Sequence, residues 1–335
     1  MGSLKYNFKR YHLILKTPFT ISRGTTIEKD VYIVNIGEGV GEAVPTPYYG
    51  DTTGAIEFFL ERVSPDLFQD PFSLEEIHDR LEKISGKTRA AKAAIDIALH
   101  DHIGKVLGLP LYKLLGIPKK PIVTSYTISI DTPENIKKQI LQNPEFQVYK
   151  IKLGTDYDRD IIKAVREVTD KPIRVDANAA WDRRYALQMI EFLADHNVEF
   201  VEQPLPPWDL DGLKFLYERS PIPIIVDESS IVSTDIPKLV GRVDGINIKI
   251  QKCGGIREAL KMIHTARSFN MKVMLGCMVE TSVGITAALH IAPLVDYVDL
   301  DGNLLLAEDP FEGGILIDGK WQIPDLPGIG VKERK

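Results

Sequence analysis

Lys150 and Lys152 lie two residues apart in a short apolar run, 147–153, that ends at Gly154. In an extended strand, residues i and i+2 point to the same face, so both ammonium groups enter one space. Two like charges buried together are costly unless something anionic lies between them. Further along, Asp176, Glu202 and Asp227 each end an apolar stretch, and Lys249 ends the next. Taken singly, Asp176 reads as a helix cap, Glu202-Gln203-Pro204 as a turn and Asp227-Glu228-Ser229 as another cap. Taken together at one repeat interval, they are three carboxylates converging on one pocket, which repel unless a cation sits between them. Three hard oxygen ligands with open positions suit Mg2+.

A lysine near a divalent cation and another ammonium loses proton affinity and can act as a base near neutrality. With lysines on both sides of a planar enolate, one removes the α-proton and the other returns it from the opposite face, which is racemisation or epimerisation. A single competent base would instead suit elimination or cycloisomerisation. Asp299 and Asp301 add a second same-face pair. The spacing places it opposite the metal ligands, where two carboxylates favour a cationic group such as an ammonium.

The elements that must hold these residues follow from the spacing. From about Pro121, apparent strands end near Thr127, Lys152, Asp176, Glu202, Asp227, Lys249, Cys277 and Asp301, roughly every 25 residues, with amphipathic segments such as 159–169, 185–196 and 256–270 between them. Eight strands so joined predict a parallel β/α barrel, whose strand ends gather at one mouth. A doubly wound open sheet would not place a polar residue at nearly every strand end. Ahead of the barrel, 4–15 and 31–36 read as strands and 53–63, 73–85 and 87–107 as helices. The polar stretch 18–29 between those strands reads as an exposed, mobile loop. Gly37-Glu38-Gly39-Val40-Gly41 is a hairpin connection rather than a nucleotide-binding turn, because Pro45 and Pro47 prevent a following helix. His100-Asp101-His102 offers metal-ligand types, but positions i and i+2 of a helix do not share a face, so a structural role is expected. After about 310 no eighth helix is evident, and Asp318-Gly319 signals a hairpin.

Composition narrows the classes. The 335 residues are 44% hydrophobic and 26% charged with formal net charge -6, and no basic stripe is interleaved with aromatics. Nucleic-acid binding is disfavoured. No stretch approaches a membrane span. Met1-Gly2 opens like an acylation site, but Tyr6 replaces the expected hydroxyl residue. Two cysteines, Cys253 and Cys277, give no disulfide framework and suit a reducing cytoplasm.

The set Lys150-Ile151-Lys152, Asp176-Ala177-Asn178, Glu202-Gln203-Pro204, Asp227-Glu228-Ser229 and Asn247-Ile248-Lys249 resembles the enolase superfamily, muconate lactonizing subgroup. The resemblance takes in Gly41-Glu42-Ala43 and Pro110-Leu111 as well. It implies a modified TIM barrel, (β/α)7β, over residues 119–310, with an α+β capping domain over 1–118 completed by a C-terminal segment, 311–335. It also implies one Mg2+ on Asp176, Glu202 and Asp227, and Lys152 and Lys249 as the acid/base pair. Lys252 competes with Lys249 on sequence, but Lys249 occupies the family's position in the Asn-Ile-Lys run. Asp299-x-Asp301 is similar to the motif with which dipeptide epimerases hold a free α-amino group. By the same resemblance Lys150, Thr127, Cys277 and Val279 contact the substrate, and Arg23 pairs with an acidic side chain, as in L-Ala-D/L-Glu epimerases. The expectation is a cytoplasmic, homo-oligomeric, Mg2+-dependent epimerase inverting the C-terminal residue of a dipeptide. An o-succinylbenzoate synthase or cycloisomerase is the rival within the superfamily, and a non-catalytic metal- or peptide-binding barrel the rival outside it.

Overall fold

A computed structural model describes residues 4–335; Met1–Ser3, and so the Met1-Gly2 opening, lie outside the described residues. Strands β1 (Tyr6–Ile21), β2 (Gly24–Ile36) and β3 (Gly39–Ala43) form an antiparallel sheet in that order. The stretch expected as a mobile loop is mostly strand. Thr20 pairs with Thr25 and Phe19 with Thr26, leaving only Ser22 and Arg23 at the hairpin tip. The polar composition of 18–29 concealed a run of β-branched residues able to carry the ladder.

Helices α1 (Thr53–Glu61), α2 (Leu74–Ile84) and α3 (Arg89–Leu107) cover one face of this sheet. The alanine-rich α3 is buried almost throughout. β3 can approach it because Gly39 and Gly41 lack side chains: a Cβ at either would lie 1.9 Å from the carbonyl oxygen of Ala98 or Ala94. The glycine run is therefore a hairpin built for close packing. The His-Asp-His triplet is structural too. Asp101 accepts from the backbone N–H of Val40 (2.9 Å) and Ile329 (2.8 Å), His100 Nδ1 lies 2.8 Å from Asp96 O, and His102 Nδ1 accepts from Glu38 N at 3.2 Å.

Eight parallel strands follow: Ser125–Ile128, Val148–Lys152, Ile173–Asp176, Val198–Glu202, Ile224–Val226, Gly245–Lys249, Lys272–Gly276 and Tyr297–Asp299, each paired with the next in chain order. The first and eighth strands are joined through side chains. Ser125 Oγ donates to Asp299 Oδ1 (2.6 Å), Thr127 N to Asp301 Oδ2 (2.6 Å) and Leu300 N to Thr124 Oγ1 (2.8 Å). Seven of the connections carry helices. After the eighth strand the chain makes only a 3-10 turn, Gly302–Leu305, before the tail, so the architecture is a (β/α)7β barrel with an N-terminal α+β cap. In the tail, strand Ile315–Ile317 pairs with Lys320–Gln322, which pairs with Ile122–Val123 beneath the barrel. Leu111 N donates to Gly328 O, and Tyr11 to Glu333.

The barrel interior is layered. Phe200, Ile225 and Met274, with Tyr297 against them, fill its lower part. Arg174 lies 5.6 Å from the Phe200 ring and 5.1 Å from the Tyr297 ring, and donates to Val298 O. Two residues further along the same strands come Asp176, Glu202, Asp227, Gly276 and Asp299. The strand period of two thus sets one layer of interior packing directly beneath one layer of chemistry.

Candidate active site

All five residues of Val148–Lys152 are buried. Tyr149 and Ile151 face the helices, with Tyr149 OH donating to Asn143 O, while Lys150 and Lys152 face the barrel axis. Gly154 closes the stretch at φ +113°, and a Cβ there would lie 2.8 Å from both Ser22 Cβ of the cap hairpin and Ala180 Cβ. Only glycine lets the strand end turn beneath that hairpin.

Lys150 Nζ sits among three carboxylates: 2.7 Å from Glu202 Oε2, 2.8 Å from Asp299 Oδ2 and 3.2 Å from Asp176 Oδ2. The contact to Glu202 is an ion pair without hydrogen-bond geometry, for Glu202 Oε2 has no hydrogen-bond partner. Burial lowers the proton affinity of Lys150, but Asp299, Glu202 and Asp176 together carry it well above the ordinary value. The sequence set Asp299 and Asp301 across the mouth from the other acids. The structure shows that Lys150 spans this gap and that the two aspartates are unlike. Burial pushes Asp299 up, but Lys150 and Ser125 bring it below the usual range, whereas burial and the charge of Asp299 push Asp301 up to about 7.

Lys152 Nζ donates to Asp176 Oδ2 at 2.6 Å, and Lys249 Nζ lies 2.8 Å from Asp227 Oδ2. The second and sixth strands thus bring one ammonium to each side of the acid triad. Asp176 also caps locally, accepting from Asn178 N through Oδ1 at 2.9 Å, so its two oxygens divide between turn and site. Lys249 and Lys252 are both buried against Asp227 and differ in their other partners. Lys252 is fully enclosed and donates to Asp227 Oδ1 (2.5 Å), Asp227 O (2.7 Å) and Asn247 O (2.8 Å), as a structural ammonium. Lys249 has no carbonyl partner among the described residues.

Arg23 is already committed. Its Nη1 donates to Asn178 O at 2.7 Å and lies 2.8 Å from Glu228 Oε1, and its guanidinium covers the Tyr48 ring at 4.3 Å. The partner found for it here is Glu228, which sequence reading passed over as the neighbour of Asp227. Thr127 lines the mouth with its N–H and Oγ1 turned to Asp301 and Asp299. Cys277 Sγ is 4.0 Å from Asp301 Oδ1, and burial holds its thiol well above the usual range, which suits packing and not nucleophilic chemistry. Val279 packs with Met278 against Leu13, Val31, Val44 and Leu306 of the cap seam.

Other site residues were not foreseen. Asn247, two before Lys249 and so on its face, donates to Glu202 Oε1 at 2.7 Å. Gln203 accepts from Asp227 N and Ser229 N and donates to Leu205 O, tying the fourth strand end to the fifth. Glu280 accepts from Met278 N, and Glu42 from Thr281 and Gly284.

Among the described residues, no three acid, histidine or cysteine side chains stand as a ready metal cage, since Lys150, Lys152 and Lys249 occupy the carboxylates. The donor set nevertheless fits a hard divalent cation. Asp176, Glu202 and Asp227 are all fully buried, Glu202 Oε2 lacks a hydrogen bond, and burial with the charge of Asp176 pushes Glu202 up to about 7. A buried carboxylate that binds a proton so readily calls for a cation.

Comparisons with known proteins agree with this arrangement. Residues 8–116 match the mandelate racemase / muconate lactonizing enzyme N-terminal domain, and residues 134–334 the enolase C-terminal domain-like family. The chain is 45% identical to an L-Ala-D/L-Glu epimerase of Bacteroides thetaiotaomicron, covering 98% of this chain and 88% of the relative. It superposes with TM-score 0.93 and 36% identity on the dipeptide epimerase of Enterococcus faecalis complexed with Mg and L-Leu-L-Tyr, over 99% of this chain and 100% of that one. The substrate-liganded L-Ala-D/L-Glu epimerase of Bacillus subtilis gives TM-score 0.93 at 32% identity, over 99% of both chains. With both its cap and its barrel matched, the chain belongs to the mandelate racemase / muconate lactonizing enzyme family of the enolase superfamily.

Proposed function

We propose that this protein is a Mg2+-dependent dipeptide epimerase that inverts the α-carbon of the C-terminal residue. The observation that carries the reading is the pair of ammoniums on opposite sides of a buried acid triad, Lys152 on Asp176 and Lys249 on Asp227. Asp176, Glu202 and Asp227 would hold Mg2+, which would supply positive charge to a bound substrate carboxylate. Lys152 removes or returns the α-proton on one face and Lys249 on the other. Burial alone pulls the proton affinity of Lys249 down, and the charge of Asp227 carries it back above the ordinary value. Once that carboxylate is committed to a cation, its hold on the lysine proton weakens and Lys249 can serve as a base.

Asp299 and Asp301 receive the free α-ammonium of the dipeptide. Asp299 is shared with Lys150 at 2.8 Å, and Asp301 accepts from Thr127 N and lies 4.0 Å from Cys277 Sγ. Lys150 balances the charge of the bound carboxylate and enolate from below. This acidic pair favours an amine-bearing substrate over the amine-free substrates of cycloisomerases and succinylbenzoate synthases. Among the described residues no helix is long and apolar enough to cross a membrane, and both cysteines are free. A reducing cytoplasm and self-association complete the proposal.

Incubating the protein with Mg2+ and a dipeptide library in D2O tests it. Deuterium enters the α-position of the C-terminal residue together with inversion; chelation stops exchange and added Mg2+ restores it. Exchange in no dipeptide of a broad library would sink the reading, and turnover confined to amine-free acids would favour a cycloisomerase.

A further inference from the structure

We infer that Lys29 is the residue that reads the side chain of the inverted amino acid, and that it selects a dipeptide whose C-terminal residue carries a carboxylate. This rests on the epimerase reading and deepens it.

Lys29 lies on β2 opposite Leu13 of β1 and two residues before Val31. The pleat puts all three on one face. Leu13 and Val31 are buried there against Met278 and Val279 of the seventh strand end, so Lys29 points into the seam between cap and barrel mouth. Its neighbours in sequence point away and are paired. Asp30 accepts from Arg10 and lies 3.1 Å from His12 Nδ1, and Glu28 lies 3.5 Å from His12 Nε2. Lys29 itself, half-buried, forms no hydrogen bond and no ion pair within 4 Å among the described residues. Burial pulls its ammonium down to about 8, with Glu280 and Asp30 opposing only in part. It is a cation held in the seam without an anion in contact.

The seventh strand end lies between Lys249 on the sixth strand and Asp299 on the eighth. A dipeptide with its α-carbon beside Lys249 and its ammonium at Asp299 and Asp301 passes this strand end, and its C-terminal side chain has the cap above it. Among the cap's cations beside this seam, Arg23 lies against Glu228, Asn178 O and Tyr48, and Lys16 donates to Leu304 O. Lys29 differs from both in having no hydrogen bond or ion pair among the described residues, and a desolvated charge pair with a carboxylate discriminates strongly between an acid and its amide.

The test compares kcat/KM for L-Ala-L-Glu and its neutral isostere L-Ala-L-Gln. Wild type prefers the acid. Lys29→Met lowers turnover of the acid roughly 30-fold or more while leaving the amide within about threefold. Lys29→Arg retains the preference, and Lys29→Glu shifts it toward L-Ala-L-Lys. Thermal unfolding of each variant confirms that it is folded. The inference is overturned if Lys29→Met lowers acid and amide alike, which would make Lys29 a counter-charge to Glu280. It is also overturned if wild type exchanges neutral dipeptides with no preference for the acid, a result that leaves the epimerase reading intact. Exchange of no dipeptide at all overturns both.

Discussion

Each lysine around the acid triad has a different set of partners, and the differences set what its loss should do. If Lys152 and Lys249 serve opposite faces, neither single variant can complete inversion, but each keeps one base. Lys152→Ala and Lys249→Ala should each lose epimerisation by roughly 10^2–10^4-fold. One should still wash deuterium into only the L-epimer and the other into only the D-epimer, as read by mass spectrometry. Exchange of both epimers by both variants would exclude a two-base mechanism. Lys252 belongs to another category. Lys252→Met leaves Asp227 less compensated and strips a donor from two buried carbonyls, so denaturant unfolding should show a loss of about 3–5 kcal/mol. Lys249→Met, whose ammonium holds no carbonyl, should cost much less stability. The sequence separated these lysines only by motif position. Both lie within reach of Asp227, and what distinguishes them is the enclosure of one by the carbonyls of Asp227 and Asn247. Strand-end acids were legible because a ~25-residue repeat and a period of two fixed both their depth and their direction. The occupation of Arg23 was not, because its partner Glu228 lies on another domain, beside a residue whose own role drew the attention.

At the scale of elements, the cap is fastened to the barrel through the start of helix Ser282–Leu289. Glu42, at the end of β3, accepts from Thr281 N (2.9 Å), Thr281 Oγ1 (2.7 Å) and Gly284 N (2.9 Å), and Asp309 accepts from Ser282 N and Oγ. Orphan N–H groups at a helix start favour such anions. Gln251 bridges the seam, accepting from Val44 N and donating to Glu42 O. Glu280 is buried beside this cluster, so desolvation pushes Glu42 up to about 7 and Glu280 to about 8, the charge of Asp309 adding to the first rise and that of Glu42 to the second. Both carboxyls bind protons more tightly folded than unfolded. Their stabilising contribution is therefore complete below about 4.5 and is lost as pH rises through about 7 and 8. Glu280→Gln removes one of the two charges, so its unfolding temperature should fall less than that of wild type between pH 5 and about 8.5. An unchanged slope would show that the acids do not share this seam electrostatically. Nothing local marks this contact in the sequence, since Glu42 and Thr281 are 239 residues apart. The elements themselves were legible from periodicity, except at 18–29, where threonines serve equally in a strand or a polar loop.

Across the whole molecule, three distant parts of the chain meet on His290. It follows the helix Ser282–Leu289, accepts from Tyr112 N at 3.1 Å through Nδ1, and its Nε2 lies 3.0 Å from Ile329 O. The cap-to-barrel connector, the barrel and the tail are thereby held on one imidazole, which also stacks on the Tyr112 ring. Accepting at Nδ1 while donating from Nε2 requires the neutral ring. Burial accordingly lowers its pKa from 6.5 to about 4. Here the folded pKa lies below the unfolded one, so the unfolded chain binds the extra proton first as pH falls. The stabilisation is present above about 6.5 and is lost as pH falls through about 4, a difference of ~3 kcal/mol at most. This runs opposite to the carboxyl seam, and the two windows overlap between about 4.5 and 6.5, where the imidazole's gain with rising pH offsets only part of the loss from the two carboxyls. His290→Gln cannot take up the proton. It should lower stability near neutrality, because the amide does not reproduce both hydrogen bonds, and should abolish the imidazole's gain between about pH 4 and 6.5. Parallel loss of that gain and of tail protection, read by hydrogen exchange at Ile329 and Gly330, would tie the gain to the docking of residues 311–335. If the tail stayed protected while the gain vanished, His290 would be acting within the barrel alone.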